Sequence, residues 1–376
     1  MNLPRISFIF PIYKESSYVE ENIKKILDDP YPNNLKEIIL TVDAPTEDFL
    51  NKLKEMKEKY KDNIKIIISK ERRGKVSATN DAIKYSNGDI LIFFDSDVII
   101  EEINLEKVVK EIEEYGLVEF YKEIIGEGWI GKMMHIEYSA YFDVLSKIIN
   151  RINKAIGLNG AGFGVKRKIW DEVGGYTRVY VEDLDFGLKV EEKGYKFYIS
   201  KSIKLKIEPL RKFKQLVEQK KRWTFGAIEA LINHLEYLVK FFINNPLETI
   251  LIILLFEFPY IAWLYIYVFV PASFLYNISL QLYETLSNKV SVIYLFILKP
   301  ISIYNFLYGL YLTVSYILIT TFYVYFLISI SKKKLYNPLY FFLFSIIYIT
   351  LYDILFIYVF LYYVIFERAP RMNWKV

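Results

Sequence analysis

Hydrophobic and polar positions come in alternating blocks along the first hundred residues. Residues 6–10 form a short apolar run that stops at Pro11, and 17–27 carry Val19, Ile23, Ile26 and Leu27 at helical spacing. Residues 37–42 read as a second strand, 47–61 as a charged amphipathic helix, 64–68 as a third strand, 75–85 as a helix and 90–94 as a fourth strand. Strands alternating with helical crossovers imply a parallel sheet covered on both faces. In open sheets of that kind the ligand sits beyond the carboxyl ends of the strands. Those ends are 11–15, Asp43, 69–74 and 95–97, polar or charged in three of the four.

The pattern then loosens. Residues 118–125 read as a strand, 129–155 as a helix with a basic end, 159–164 as a Gly-rich stretch leading into a short helix, and 182–192 as a helix with an acidic first turn. From 209 to 244, Phe213, Leu216, Phe225, Ile228, Leu231 and Leu235 fall near helical spacing beside a basic face of Lys212, Lys214, Lys220, Lys221 and Arg222. Such a stretch suits a helix in the plane of a membrane interface, and it also suits an ordinary surface helix.

Charge separates this region from the C-terminal third of the chain: 79 of the first 245 residues are Lys, Arg, Asp or Glu, against 13 of the last 131. Between Lys299 and Lys332 lie 32 consecutive uncharged residues, and about 20 suffice to cross a bilayer. A wholly soluble reading is therefore excluded. The expected organisation is a domain at 1–207, amphipathic interfacial helices at 208–245, and a transmembrane domain at 246–376 with spans near 247–272, 301–330 and 336–366. Three spans place Lys332–Lys334 inside, as the positive-inside rule asks; a fourth within 285–330 reverses the orientation of all later segments. Glu257 and Asp353 fall within spans and are expected to face protein or water. Nothing at the N-terminus reads as a cleaved signal, so the expectation is an integral protein of the cell membrane with its first domain cytoplasmic.

Composition removes several chemistries. With no cysteine and two histidines, thiolate nucleophiles, zinc–thiolate sites and His-rich centres fall away. His135 and His234 read as helix-surface or interfacial residues. A net charge of +4, evenly mixed in the first domain, gives no nucleic-acid footprint. Neither a Walker pattern nor G-x-G-x-x-G is present.

The strongest local feature is Phe93-Phe94-Asp95-Ser96-Asp97, a strand running into two carboxylates spaced by one residue. Carboxylates so placed suit a hard cation held jointly with phosphate oxygens. Pro11 to Glu15, Asp43, and Arg72 to Lys75 add an aromatic face, acids and positive charge, a mixture that suits a nucleoside diphosphate and its metal. Glu182-Asp183 opens a helix, where the macrodipole favours negative charge. That pair reads as helix capping, or as a base for an acceptor hydroxyl.

Pro-x-Tyr-Lys-Glu (11–15), Asp43, Gly-Lys-x-x-Ala-x-Asn (74–80), Asp-x-Asp (95–97), Gly-Phe-Gly-Val-Lys-Arg (162–167), Gly-Gly-Tyr (174–176), Glu-Asp (182–183) and Gln-x-x-Arg-Trp (219–223) occur in one order. That ordered set, covering about residues 4–225, resembles the inverting family 2 glycosyltransferases. The last motif resembles their membrane-embedded branch of cellulose, chitin and hyaluronan synthases. The resemblance implies an α/β GT-A (Rossmann-like) nucleotide-sugar-binding domain followed by an α-helical transmembrane domain, and a hexosyltransferase-type activity. It implies that Pro11, Tyr13, Glu15 and Asp43 hold the nucleoside with Lys75 close by. Asp95 would contact the nucleotide and share a Mg²⁺ or Mn²⁺ with Asp97, and Asp183, beside Glu182, would be the general base. Gln219, Arg222 and Trp223 would lie at the membrane interface, Arg222 near the diphosphate and Trp223 near the acceptor.

Three features depart from the family. Ala44 stands where many relatives have a second acid, Val181 stands where a Thr is usual, and few spans make a polymer channel harder to build from one copy. The tail at 369–374 resembles a basic, Trp-containing segment that comes after the last span in some relatives. The expected partners are a nucleotide-sugar donor, expected to be UDP-linked, membrane lipids, and a lipid or growing-glycan acceptor. Polysaccharide synthesis, single-sugar transfer to a polyprenyl phosphate, and a nucleotide-binding scaffold without turnover are the competing outcomes.

Overall fold

Eight strands build one mixed sheet in the computed structural model, which describes residues 3–154, 157–250, 262, 272–287, 300–332 and 336–366. They are β1 (Ile6–Tyr13), β2 (Lys36–Asp43), β3 (Ile64–Ser69), β4 (Ile90–Phe94), β5 (Val98–Ile103), β6 (Gly116–Ile124), β7 (Gly162–Lys166) and β8 (Lys196–Ile207), in the order β3-β2-β1-β4-β7-β6-β8-β5. The first four are parallel, as the apolar blocks predict, with Ile6 opposite Lys36 and Ile90, and Ile38 opposite Ile64. β2 and β4 are buried along their whole length, the condition of strands covered on both faces. Pro11, which has no N–H to give, lies past the last β1–β4 pair, Ile9 with Phe93.

Helices α1 (Val19–Asp28), α2 (Glu47–Lys59), α3 (Lys75–Lys84) and α4 (Leu105–Tyr115) cross over between these strands; α3 packs on β1 and β2. The second half adds α5 (Trp129–Ser139), a π-helical turn at Ala140–Leu145, α6 (Ser146–Ile152), α7 (Arg167–Val173) and α8 (Glu182–Glu192). Rings on β4, β7, α7 and α8 close the core below the β4 end: Phe93 stacks on Phe163 at 4.6 Å and on Trp170 at 4.7 Å, and Phe186 of α8 sits 4.8 Å from Trp170. Such pairs contribute about 0.5–1.5 kcal/mol each beyond burial, so the start of α8 is fixed to the end of β4.

β5, β7 and β8 were not expected from the sequence. β5 and β8 pair antiparallel at the sheet edge, their charges matched by Lys204–Glu102 at 2.8 Å and by a Lys206–Glu101 pair. The Gly-rich stretch is strand β7, antiparallel to β4 and β6.

By packing, the described residues up to Asn244 and from Leu351 to Phe366 form one compact unit, and those within Asn245–Thr350 form another. The first unit includes α9 (Phe213–Asn233) and α10 (Leu235–Asn244), whose Leu231, Ile232, Leu235, Val239, Phe242 and Ile243 are exposed. In the second, α11 (Ala272–Ser287) packs on α12 (Pro300–Lys332), followed by α13 (Pro338–Leu343), and Thr321 Oγ1 donates to Ser345 Oγ at 3.1 Å. The last helix is α14 (Thr350–Phe366). Two helical stretches, Leu307–Lys332 and Pro338–Tyr363, are long and apolar enough to cross a membrane. The span expected at 247–272, with Glu257, lies mostly outside the described residues, as do 288–299 and the tail from 367.

Candidate active site

The parallel strands deliver Tyr13, Asp43 and Ser69 to one edge, where they are successive partners across β1, β2 and β3. Lys14 and Ala44 both have positive φ, 63° and 47°, and the Lys14 N–H donates to the Asp43 carbonyl at 3.0 Å. A non-glycine residue in that region is strained, a state retained where surrounding contacts over-determine it. Asp43 is buried with both oxygens engaged: Oδ2 accepts from the N–H groups of Arg73 (2.7 Å) and Gly74 (3.0 Å), and Oδ1 from Arg73 Nε (2.9 Å). It therefore shapes the 72–75 loop. That loop stacks the Arg72 guanidinium 4.0 Å over the exposed Tyr13 ring, with Glu15 exposed close by in the chain.

Lys75, expected close to the nucleoside, is held by two carboxylates. Its Nζ lies 2.7 Å from Asp95 Oδ1 and 3.2 Å from Glu182 Oε1, tying the β4 end to the start of α8. Burial opposes its charge, but Asp95 and then Glu182 outweigh that and hold the ammonium well above the usual lysine range. Asp97 is exposed at its tip, yet the protein crowded around it, and then the Asp95 charge, raise its carboxyl. Among the described residues no three acids or histidines converge as a ready-made metal site. What exists is an all-oxygen pair, Asp95 and Asp97, with an ammonium drawn to it. That arrangement fits a hard divalent cation whose remaining ligands are phosphate and water.

Asp183 sits on the first turn of α8 and accepts from Gly160 N at 2.5 Å and from Leu184 N at 2.9 Å. Glycine is required at 160, because a Cβ there would fall 2.6 Å from Asp183 Oδ2. Burial first, and the neighbouring Glu182 charge second, push the Asp183 carboxyl up to about 6. A carboxylate in that range is matched to proton transfer near neutral pH.

Three residues that sequence reasoning missed hold the loop beneath it. Lys122 and Glu119, both fully buried, pair at 2.7 Å, and Lys122 Nζ also donates to the Asn159 carbonyl at 2.9 Å. Tyr141, on the π-helical turn, donates to Glu119 Oε2 at 3.0 Å and lies 2.9 Å from the Gly157 carbonyl. Burial pushes the Glu119 carboxyl up and the Lys122 ammonium down, while their contact opposes both shifts. The one available signal was a lysine three residues after an acid inside a strand, with Glu123 the only other charge there.

The 219–223 motif on α9 is only partly gathered. Lys220 is buried against Glu137 at 2.7 and 2.9 Å and stands 3.8 Å over the Trp223 ring, and Tyr352 on α14 donates to the same Glu137 at 2.7 Å. Gln219 Oε1 is buried with no hydrogen-bond partner among the described residues. Arg222 is exposed, and among the described residues no ion pair ties it to the carboxylates of the crevice.

His234 departs from the surface position expected of it. It is buried, with Nδ1 2.6 Å from Glu192 and Nε2 3.1 Å from Asp185, so it clamps α8 to the end of α9. Burial works against the Asp185 charge, but hydrogen bonds with His234, Lys189 and Thr177 hold its carboxyl at about 2. His135 is partly exposed near the Ile124 carbonyl, 3.2 Å away.

Residues 7–173, a little under half of the chain, match glycosyl transferase family 2. The chain is 24% identical over 308 residues to the probable glycosyltransferase YdaM of Bacillus subtilis, covering 78% of this chain and 71% of that protein. It is 23% identical over 320 residues to a poly-beta-1,6-N-acetyl-D-glucosamine synthase of Staphylococcus epidermidis, covering 83% and 75%. Among solved structures it resembles the mannosyltransferase PcManGT of Pyrobaculum calidifontis, in complex with GDP-Man and Mn²⁺, with a TM-score of 0.51 at 20% identity. That match covers 61% of this chain and 64% of the other, just under two thirds of its length, and shows the α/β, GT-A-like fold.

Proposed function

We propose that the chain is a membrane-bound inverting glycosyltransferase that moves a sugar from a nucleotide-activated donor, UDP-linked in this reading, to an acceptor presented at the membrane. The crevice domain would face the cytoplasm. The observation that carries this reading is Asp183, a carboxylate pushed up to about 6 and aimed by Gly160, in one charge cluster with Lys75, Asp95 and Glu182.

Asp183 takes the proton of an acceptor hydroxyl as that oxygen bonds to the anomeric carbon of the donor sugar. The bond from that carbon to the diphosphate oxygen breaks on the opposite face, its electron pair leaves with the nucleotide, and the configuration inverts. Pro11, Glu15 and Asp43 frame the nucleoside, and the Tyr13–Arg72 stack offers the base a flat face. Lys75, released from Asp95, neutralises phosphate charge. Asp95 and Asp97 would hold Mg²⁺ or Mn²⁺, which supplies further charge neutralisation of the diphosphate when bound. Gln219, Arg222 and Trp223 form the membrane-side edge, with Trp223 toward the acceptor. A growing glycan is the favoured acceptor, supported by the named product of the staphylococcal relative.

The test is nucleotide release from a panel of nucleotide sugars with Mg²⁺ or Mn²⁺, with a crude lipid extract added or withheld. Detergent-purified wild type is compared with Asp183→Asn. Release should fall at least about 100-fold in the variant, within the range of general-base contributions, with UDP affinity kept. A variant that releases nucleotide as fast as wild type would overturn the assignment.

A further inference from the structure

We propose that a saccharide-binding subsite lies beside Asp97, in the cleft between residues 125–131 and 208–211, and receives the acceptor glycan. The proposal rests on the glycosyltransferase reading and names its acceptor chemistry. Strand register puts the cleft there. Ile207 of β8 pairs with Val98 of β5 and with Ile124 of β6, and Ile125 N donates to the Ile207 carbonyl at 2.9 Å. The next residues outward on the antiparallel pair are Glu208 and Asp97, so the cleft begins one residue from the metal-side carboxylate. The chain after β1 is tied to this edge: Tyr18 donates to Glu208, and Ser16 Oγ to the carbonyl of Ser96, next to Asp97, at 2.6 Å.

The cleft holds about 420 Å³, within the range of small-ligand sites. Trp129, Ile130 and Leu210 give it an apolar wall, and Glu127, Glu208 and Arg211 give it a charged rim, with Arg211 3.7 Å from Glu208. The lining residue Trp129 lies 5.8 Å from Phe213 between ring centroids, and each residue is 43% exposed. A sugar ring has a C–H face, which a flat aromatic surface covers, and a rim of hydroxyls, which carboxylates and a guanidinium can hydrogen-bond. Lipid is the poorer occupant, because the charged rim resists transfer toward hydrocarbon.

The experiment titrates full-length Asp183→Asn protein in detergent with gluco-, manno- and N-acetylglucosamine oligosaccharides of one to five units, read by tryptophan fluorescence and by saturation-transfer NMR. Trp129→Ala and Glu208→Ala are each made in the same background. UDP titration of the same samples reports whether the crevice is folded. Expected is saturable binding of at least one series, weakened tenfold or more by Trp129→Ala and also reduced by Glu208→Ala. Saccharide affinity unmoved in both variants, or no binding of any series, overturns the subsite. So does a loss, in either variant, confined to co-flotation with anionic vesicles measured after detergent removal, which would make this a membrane contact. Loss of Asp183-dependent nucleotide release in the wild-type assay would instead sink the underlying enzyme reading.

Discussion

Lys122→Met keeps the bulk of a fully buried side chain and deletes the charge that faces Glu119 at 2.7 Å. Removing one partner of a buried pair leaves the other uncompensated, at a penalty of about 3–5 kcal/mol. A loss of that size lowers the melting midpoint of a domain this long by roughly 6–20 °C. Glu119 limits the damage by taking a proton, which burial already favours. Its folded-state pKa, raised further by losing Lys122, lies above the unfolded value, so the variant loses stability as pH rises between the two. The deficit should therefore be larger at pH 8 than at pH 5. Thermal unfolding of detergent-purified protein at both pH values checks this, with Glu119→Gln/Lys122→Met as the control in which most stability returns. Because Lys122 also holds the Asn159 carbonyl next to Gly160, turnover should fall more than UDP affinity. A midpoint within 3 °C of wild type at both pH values, at roughly 1 kcal/mol or less, would refute the charged network.

Other changes test neighbouring contacts. With Asp183 at about 6 and required as the anion, kcat/KM for the donor should fall tenfold per pH unit below about 6 and level off above it; a flat profile from pH 5 to 7 would remove Asp183 as the base. Gly226→Ala puts a Cβ 2.1 Å from Val181 Cγ2 and should destabilise by about 1–3 kcal/mol and slow turnover, with Val181→Ala restoring both; a neutral effect on melting would show that the two helices separate freely. Ala44→Gly relieves about 1–2 kcal/mol of left-handed strain against about 0.4–1 kcal/mol lost through the unfolded chain, so its midpoint should rise slightly. A fall would mean that the Ala44 methyl packs usefully.

The parallel half of the sheet was legible because burial on both faces leaves β4 an unbroken apolar run and gives β1 and β2 predominantly apolar centres. β5 and β8 were not, because Glu101 and Glu102 on the edge strand β5 and Lys204 and Lys206 on its neighbour β8 interrupt the apolar pattern and pair across the two strands. β7 hid behind Gly162 and Gly164, which leave no side-chain alternation to read. Near the candidate site, the strand-end position of Asp95 and Asp97 and the helix-start position of Asp183 showed in the sequence pattern. The true neighbours of Lys75, the Glu119–Lys122–Tyr141 network and the burial of His234 did not. Each depends on contacts across 20 or more residues that no local pattern encodes.

Val181, a departure from the family pattern in the sequence, acquires a physical reason in the fold. It packs against a cluster of Tyr180, Phe225, Ile228 and Val359, which joins the approach to α8 with α9 and α14. A threonine hydroxyl there would need a partner amid apolar neighbours, whereas valine adds only contact. The same stretch is fixed again by Tyr180 N donating to Glu229 at 2.8 Å, and farther along α8 by His234 bridging Asp185 and Glu192. Three attachments from α9 thus bracket Asp183, which lies between Val181 and Asp185. The helix that carries the 219–223 motif is accordingly also the mount of Asp183. A change at the buried face of α9 should therefore reach turnover by moving Asp183, without touching the nucleotide end of the crevice.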